Sequence, residues 1–316
     1  MDFKAKFIEA LETNNRELMR RIPKTELHTH TGLNGNREFL YKKAGKWINP
    51  INTTLSSLDE MHRWVSENMG DMFSGIEGEK TLVEACFEQT KYDSIAVINI
   101  GEDVWAHNAI FNGNMERLIS IWQNANETFS PETKLIFQVG LSRHVPVKLL
   151  EEWAAPFFEE DCFASIDLYG DELAQPIESF VPLYRKAKEK GYILRAHVGE
   201  WGTADDVVKA AELLELDEVQ HGIAAATSQA AMNFLADNKI RLNVCPTSNI
   251  RLGRVQSMKM HPIRTLFDNG ISVTVNSDDL LVFGSTVSDE FFELYNCGLF
   301  SALELNTIRE RSFDTI

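Results

Sequence analysis

Short apolar runs alternate with longer stretches of helical periodicity along almost the whole chain. The runs at 25–31, 94–101, 134–142, 163–169, 192–199, 218–221, 240–245 and 271–277 are predicted to be strands. Continuous apolar runs imply burial on both faces, the condition of strands in a parallel sheet. Between them, residues 177–190 place Phe180, Val181, Leu183, Tyr184 and Ala187 on one helical face, with Lys and Glu opposite. Residues 205–214 and 229–238 repeat that pattern. Strands alternating with helices predict an α/β fold, and their number fits a closed (β/α)8 TIM barrel. A doubly wound open sheet shares the alternation. The polar residues favour the barrel: His28, His30, Arg143, Asp167, His197, His221 and Asp278 fall at strand ends, where barrel enzymes carry their chemistry. The connection 31–91 is long for one strand-to-helix turn, and extra helices over the barrel mouth are predicted there, at 58–65 and 81–90.

A chain of 316 residues can form a single barrel domain over 1–316, with no low-complexity segment or Pro/Gly-rich linker to divide it. The formal net charge of −16 argues against nucleic acid or an anionic membrane as partner, since both need a positive surface. Cys86, Cys162, Cys245 and Cys297 form no CxxC pair, and the N-terminal stretch is polar and amphipathic. A reduced, cytoplasmic location is the expectation. The oligomeric state, monomer or homodimer, is left open.

His28-Thr29-His30 sets two imidazoles on one face of a strand, able to share a metal. Two hydrogen-bonded core histidines would look the same. Arg195-Ala196-His197-Val198-Gly199-Glu200 ends another strand in a third histidine, with a glutamate placed to move protons beside a metal without binding it. His221 ends the next strand before Gly222, and Asp278-Asp279 end the last. Adjacent aspartates are unfavourable to bury unless a cation or proton offsets their repulsion. A helix cap with an acidic first turn could account for Asp279, but not for histidines at three strand ends. Together His28, His30, His197 and Asp278 form a ligand set suited to one Zn2+, which would activate a water. His62, His107, His144 and His261 are given no role.

The order of these pieces resembles the adenosine deaminase family of the amidohydrolase superfamily. The matching segments are PKTELHTH, IDLYGDE, AHVGEWG, QHG, NVCPTSN, HP and VNSDD, in the family's order from residue 23 to about residue 290. The resemblance implies a zinc-dependent hydrolase that turns adenosine or deoxyadenosine into inosine or deoxyinosine plus ammonia. It implies that Glu200 protonates purine N1, that His221 orients the water and accepts or relays its proton, and that Asp279 bonds purine N7. It further implies that the Gly170 amide meets N3, and that Ser248 and Asp167 steady the metal ligands and the catalytic histidine.

Three positions depart from the family's pattern. Gly32 stands where the family carries an acid that contacts the ribose, with Asn34-Gly35 nearby. Strand two reads Ile98-Asn99-Ile100-Gly101-Glu102 without the usual Glu-x-Arg, and Leu280 replaces a proline. Adenine, or a 5′- or N6-modified adenosine or AMP, is therefore the alternative substrate. Cleavage of a cyclic amide or phosphoester is disfavoured, because Asp167-Leu168-Tyr169 offers no lysine for a second metal. A non-catalytic purine-binding barrel is disfavoured because Glu200 and all the ligands are present.

Overall fold

The computed structural model describes residues 2–314; residues 1, 315 and 316, at the ends of the expected 1–316 domain, lie outside the described residues. The strands are β1 (Lys24–Glu26), β2 (Ile95–Asp103), β3 (Lys134–Ser142), β4 (Phe163–Tyr169), β5 (Ile193–Val198), β6 (Glu218–His221), β7 (Arg241–Val244) and β8 (Val273–Val275). They pair in parallel in chain order, as one 8-stranded sheet. A parallel bridge between Thr29 and Asp278 brings the segments after β1 and β8 together and nearly closes the barrel. Strand order equal to chain order is the barrel's topology, not that of a doubly wound sheet.

Helices cover the sheet because their apolar faces match it. Ala204–Leu214 begins at a capping box, in which Thr203 and Asp206 satisfy each other's backbone N–H groups. It then buries Val207, Ala210, Ala211 and Leu214, a stripe of helical spacing, against β5 and its neighbours. The expected helix 177–190 is a 3-10 turn, Ile177–Phe180, followed by the helix Val181–Glu189.

β5, β7 and β8 are shorter than expected at both ends, and the ends of β1 and β2 differ for identifiable reasons. β1 stops at Glu26 instead of 31, because the Leu27 N–H donates to Asn276 Oδ1 (2.8 Å) and leaves the ladder. β2 runs on through Glu102 and Asp103, two acids that read as a strand end in sequence but are buried here.

The connection 31–91 folds as helices Arg37–Ala44, Leu58–Asn68 and Gly75–Tyr92. The predicted segments 58–65 and 81–90 lie inside the last two. Leu40, Ile48, Met69, Phe73, Leu82 and Leu281 form an apolar cluster of their own, separate from the main core, which fixes these helices over the mouth. Among the described residues no helix is long and apolar enough to cross a membrane, and all four cysteines are free.

Candidate active site

The site lies at the C-terminal ends of the strands, in a cavity of about 710 Å3. His30, His197, Glu200, His221, Asp278, Asp279 and Gly170 all line it, and helix Leu58–Asn68 covers it with Leu58, Met61, His62 and Val65.

Three imidazole nitrogens and one carboxylate oxygen converge at its floor. His197 Nε2 is 3.0 Å from His28 Nε2 and 3.2 Å from His30 Nε2. Asp278 Oδ1 is 3.3 Å from His30 Nε2 and 3.7 Å from His28 Nε2. A tetrahedron with bonds of about 2.0–2.1 Å has edges of roughly 3.3 Å, a size these four spacings approach; His28, His30 and His197 form one close group, with Asp278 beside His28 and His30. The opposite ring nitrogens point the same way. His28 Nδ1 donates to the Asn243 carbonyl (2.9 Å) and His197 Nδ1 to Asp167 Oδ1 (3.3 Å), so each Nε2 turns a lone pair to the common point.

The electrostatics divide the histidines. Burial pushes the His28 ring down to about 3 and His221 well below its ordinary value, so both are neutral. Burial also opposes a charge on His30, but the Asp278 hydrogen bond and the charges of Asp279 and Asp278 carry it up to about 9. Against its own burial, Asp278 is held below the usual carboxylate range by His28, His30 and His221. Burial and the Asp278 charge raise Asp279 to about 8. His28, His221, Cys245 and Asp278 also lie close together, but burial and the nearby carboxylates push the Cys245 thiol well up, which keeps it a poor ligand.

Backbone geometry aims these groups. His221 (φ 63°) and Asp278 (φ 57°) are left-handed, a conformation non-glycine residues adopt at a cost of about 1–3 kcal/mol and chiefly where surrounding structure enforces it. Gly199 has φ +74°, and a Cβ there would lie 2.3 Å from Val207 Cγ2, so the turn that leads into Glu200 requires glycine.

Glu200 sits 3.5 Å from His221 Nε2, buried with Asp278 and Glu172, and desolvation and their charges raise its carboxyl far above the ordinary range. Trp201 Nε1 donates to one of its oxygens (2.9 Å) and Asn249 Nδ2 to the other (3.3 Å). Both oxygens accept from fixed donors, which holds the carboxyl in place at the cavity wall. Asp279 has a buried Oδ1 with no partner in the protein. Gly170 (φ +90°) sits beside His144 at the cavity wall.

One expected residue is misplaced. The Ser248 hydroxyl is buried but has no hydrogen-bond partner, and it is Asn249 that meets His221 Nδ1 (3.1 Å). A hydroxyl and an amide one residue apart look equally suited in sequence, but the helix Pro246–Arg251 turns only the second toward the histidine. Sequence reasoning also missed Glu172. Its carboxylate accepts from the backbone N–H groups of Gly199, Glu200 (3.1 Å) and Trp201 (2.7 Å), pinning the loop that carries Glu200. Glu79 and Glu102, two buried carboxyls at the cavity wall, were likewise unforeseen; burial raises Glu79 to about 7, and burial and Glu79's proximity hold Glu102 well above its ordinary range.

A family model described as adenosine deaminase matches residues 82–314. A candidate adenosine/adenine deaminase of Treponema pallidum is 32% identical over 292 residues, covering 92% of this chain and 97% of that one. The adenine deaminase of Acinetobacter baylyi is 31% identical, covering 95% of this chain and 94% of its own. Among solved structures, adenine deaminase from Arthrobacter aurescens superimposes with a TM-score of 0.76 at 25% identity, covering 93% of each chain.

Proposed function

The chain belongs to the adenosine deaminase family of the amidohydrolase superfamily, an enzyme of metal-dependent purine deamination, and from that premise we propose that it is a zinc enzyme converting adenine to hypoxanthine and ammonia. The observation that carries this reading is the convergence of His28, His30, His197 and Asp278 on one point in the cavity that Glu200 and Asp279 also line.

Adenine is placed ahead of adenosine for two reasons. Relatives covering most of this chain bear the name adenine deaminase. Gly32 leaves a bare backbone in the cavity where the family's ribose-contacting acid would stand. The cavity's volume of about 710 Å3 keeps an N6- or N9-substituted adenine as the second reading, because a bare purine leaves much of it unfilled.

His28, His30, His197 and Asp278 would hold the Zn2+, one per chain, which when bound supplies a Lewis acid that brings a water's ionisation toward neutral pH. Asp167 keeps the His197 ring in the orientation this needs. Attack of the water oxygen at C6 pushes charge onto the ring nitrogens. Glu200, protonated at the cavity wall, gives its proton to N1 and stabilises the tetrahedral carbon. His221, between Glu200 and Asp278, orients the attacking oxygen. Asp279, raised to about 8 and therefore protonated, would donate from its unpartnered carboxyl edge to the N7 lone pair, and the Gly170 amide would donate to N3. One proton of the attacking water returns to Glu200 and the other passes to the leaving nitrogen, so the C6–N bond breaks with loss of ammonia and a 6-oxopurine remains.

An ultraviolet assay over adenine, adenosine, deoxyadenosine, AMP and N6-methylated adenine tests the substrate. Adenine is expected to give the highest kcat/KM. A preference for adenosine would return the ribose to the site, and turnover of none would reject deamination.

A further inference from the structure

A buried line of hydrogen bonds runs behind His221, away from the cavity. The backbone N–H of Ile263 donates to His261 Nδ1 (3.1 Å). The neutral ring therefore carries its proton on Nε2, which donates to Asn249 Oδ1 (3.2 Å). With its oxygen so engaged, Asn249 turns its amide nitrogen to His221 Nδ1 (3.1 Å) and Glu200 Oε1 (3.3 Å).

The backbone end fixes the direction of every bond that follows. A backbone N–H can only donate, so His261 cannot hold its proton on Nδ1. With the proton on Nε2, His261 donates to the Asn249 oxygen, so the amide nitrogen faces the site and meets His221 Nδ1 and Glu200 Oε1. A flipped Asn249 would leave His261 Nε2–H facing an N–H. His261, Asn249 and His221 are 2%, 0% and 1% exposed, so the three side chains are almost wholly withdrawn from bulk solvent.

We propose that His261 and Asn249 are positioning residues that hold His221 with its proton on Nε2, so that it presents an N–H, not a lone pair, to the attacking oxygen. The resemblance to the family had implied both orienting and accepting for this histidine; the geometry keeps the first. Burial supports the neutral rings, pushing His261 down to about 3. The same amide also braces Glu200, so one side chain sets both groups that face the substrate. The inference rests on the deaminase reading for the identity of the reaction, but not for the position of the proton.

Nitrogen-15 NMR of the zinc-loaded protein, labelled in histidine, reads that position directly, with the His221 signals assigned by their loss in His221→Gln. Protonated Nε2 and unprotonated Nδ1 are expected; a proton on Nδ1 overturns the proposal in the unaltered protein. Asn249→Asp replaces the donor with an acceptor. It should move the proton to Nδ1 and lower kcat about 10- to 100-fold while the protein keeps its zinc. An unchanged tautomer and rate would contradict the relay. His261→Gln, whose amide nitrogen can take the place of Nε2 as donor, should hold the native tautomer and most of the rate, whereas His261→Leu loses about tenfold in kcat. Equal effects of the two substitutions would also contradict it. Should the protein deaminate no purine, the deaminase reading falls while the NMR result still decides the proton's place.

Discussion

Replacing Glu172 by alanine should disable the enzyme without touching a metal ligand or the substrate. Its carboxylate is buried and accepts three consecutive backbone N–H groups, those of Gly199, Glu200 and Trp201. An unpaired buried N–H costs about 1–3 kcal/mol, so losing all three bounds the destabilisation at roughly 3–9 kcal/mol. Gly199 is buried but Glu200 and Trp201 are partly exposed, so water can recover some of this, and a net loss of about 2–4 kcal/mol is expected. Glutamine keeps one acceptor oxygen and sets an NH2 against the remaining donors, so Glu172→Gln should lie between wild type and alanine. The freed loop carries Glu200, and a displacement on the order of 1 Å in a proton donor lowers rate about 100-fold. The assay is kcat and KM for the purine, with thermal unfolding and zinc content on the same samples. kcat should fall, while zinc stays at one per chain because His28, His30 and Asp278 sit on other strand ends and His197 is held inside β5 by its ladder and by Asp167. A Glu172→Ala variant with a rate within about threefold of wild type and unchanged melting would refute the reasoning.

Glu200→Gln should retain zinc and lose about 100- to 10,000-fold in kcat, since an amide keeps the shape but has no acidic proton to give; near-normal turnover would remove it from the mechanism. Asp279→Ala removes the buried unpartnered oxygen of the cavity wall and should lower kcat/KM about 10- to 100-fold, measured against 7-deaza substrates, on which the variant and wild type should converge. Burial holds the Glu290 carboxyl up to about 7, against a hydrogen bond from the Thr247 backbone N–H (3.1 Å). Between its ordinary 4.5 and about 7 the unfolded chain ionises and the native one does not, so this stabilisation is complete below that window and is lost as pH rises through it. Glu290→Gln should flatten the fall in melting temperature from pH 4 to 8 by the equivalent of roughly 3 kcal/mol; an unaltered pH profile would contradict the assignment.

Most of the barrel could be read from the sequence because apolar strands leave a long, redundant signal. β3, β4 and β6 match their expected bounds, and the histidines of three strands meet as their positions implied. The sequence was weaker where one side chain does the work of a ladder. Asn276 ends β1 early by accepting the Leu27 N–H, a substitution that no periodicity records. The acids of β2 carried the opposite error, since Glu102 and Asp103 look like a strand end until their burial is visible. Glu172 could not be found by spacing, because the groups it pins lie 27 to 29 residues away and are backbone atoms. Ser248 and Asn249 differ only in the direction a helical turn gives them.

The central claim is that one metal ion, held by His28, His30, His197 and Asp278, is needed for purine deamination. Zinc returned stepwise to chelator-treated protein, with adenine turnover followed in the ultraviolet and metal by elemental analysis, tests it most directly. Activity should rise in proportion to zinc and break at one ion per chain, with no such rise in Glu200→Gln although that variant binds the same amount. A break at two ions per chain, or full turnover by metal-free protein, would contradict the account.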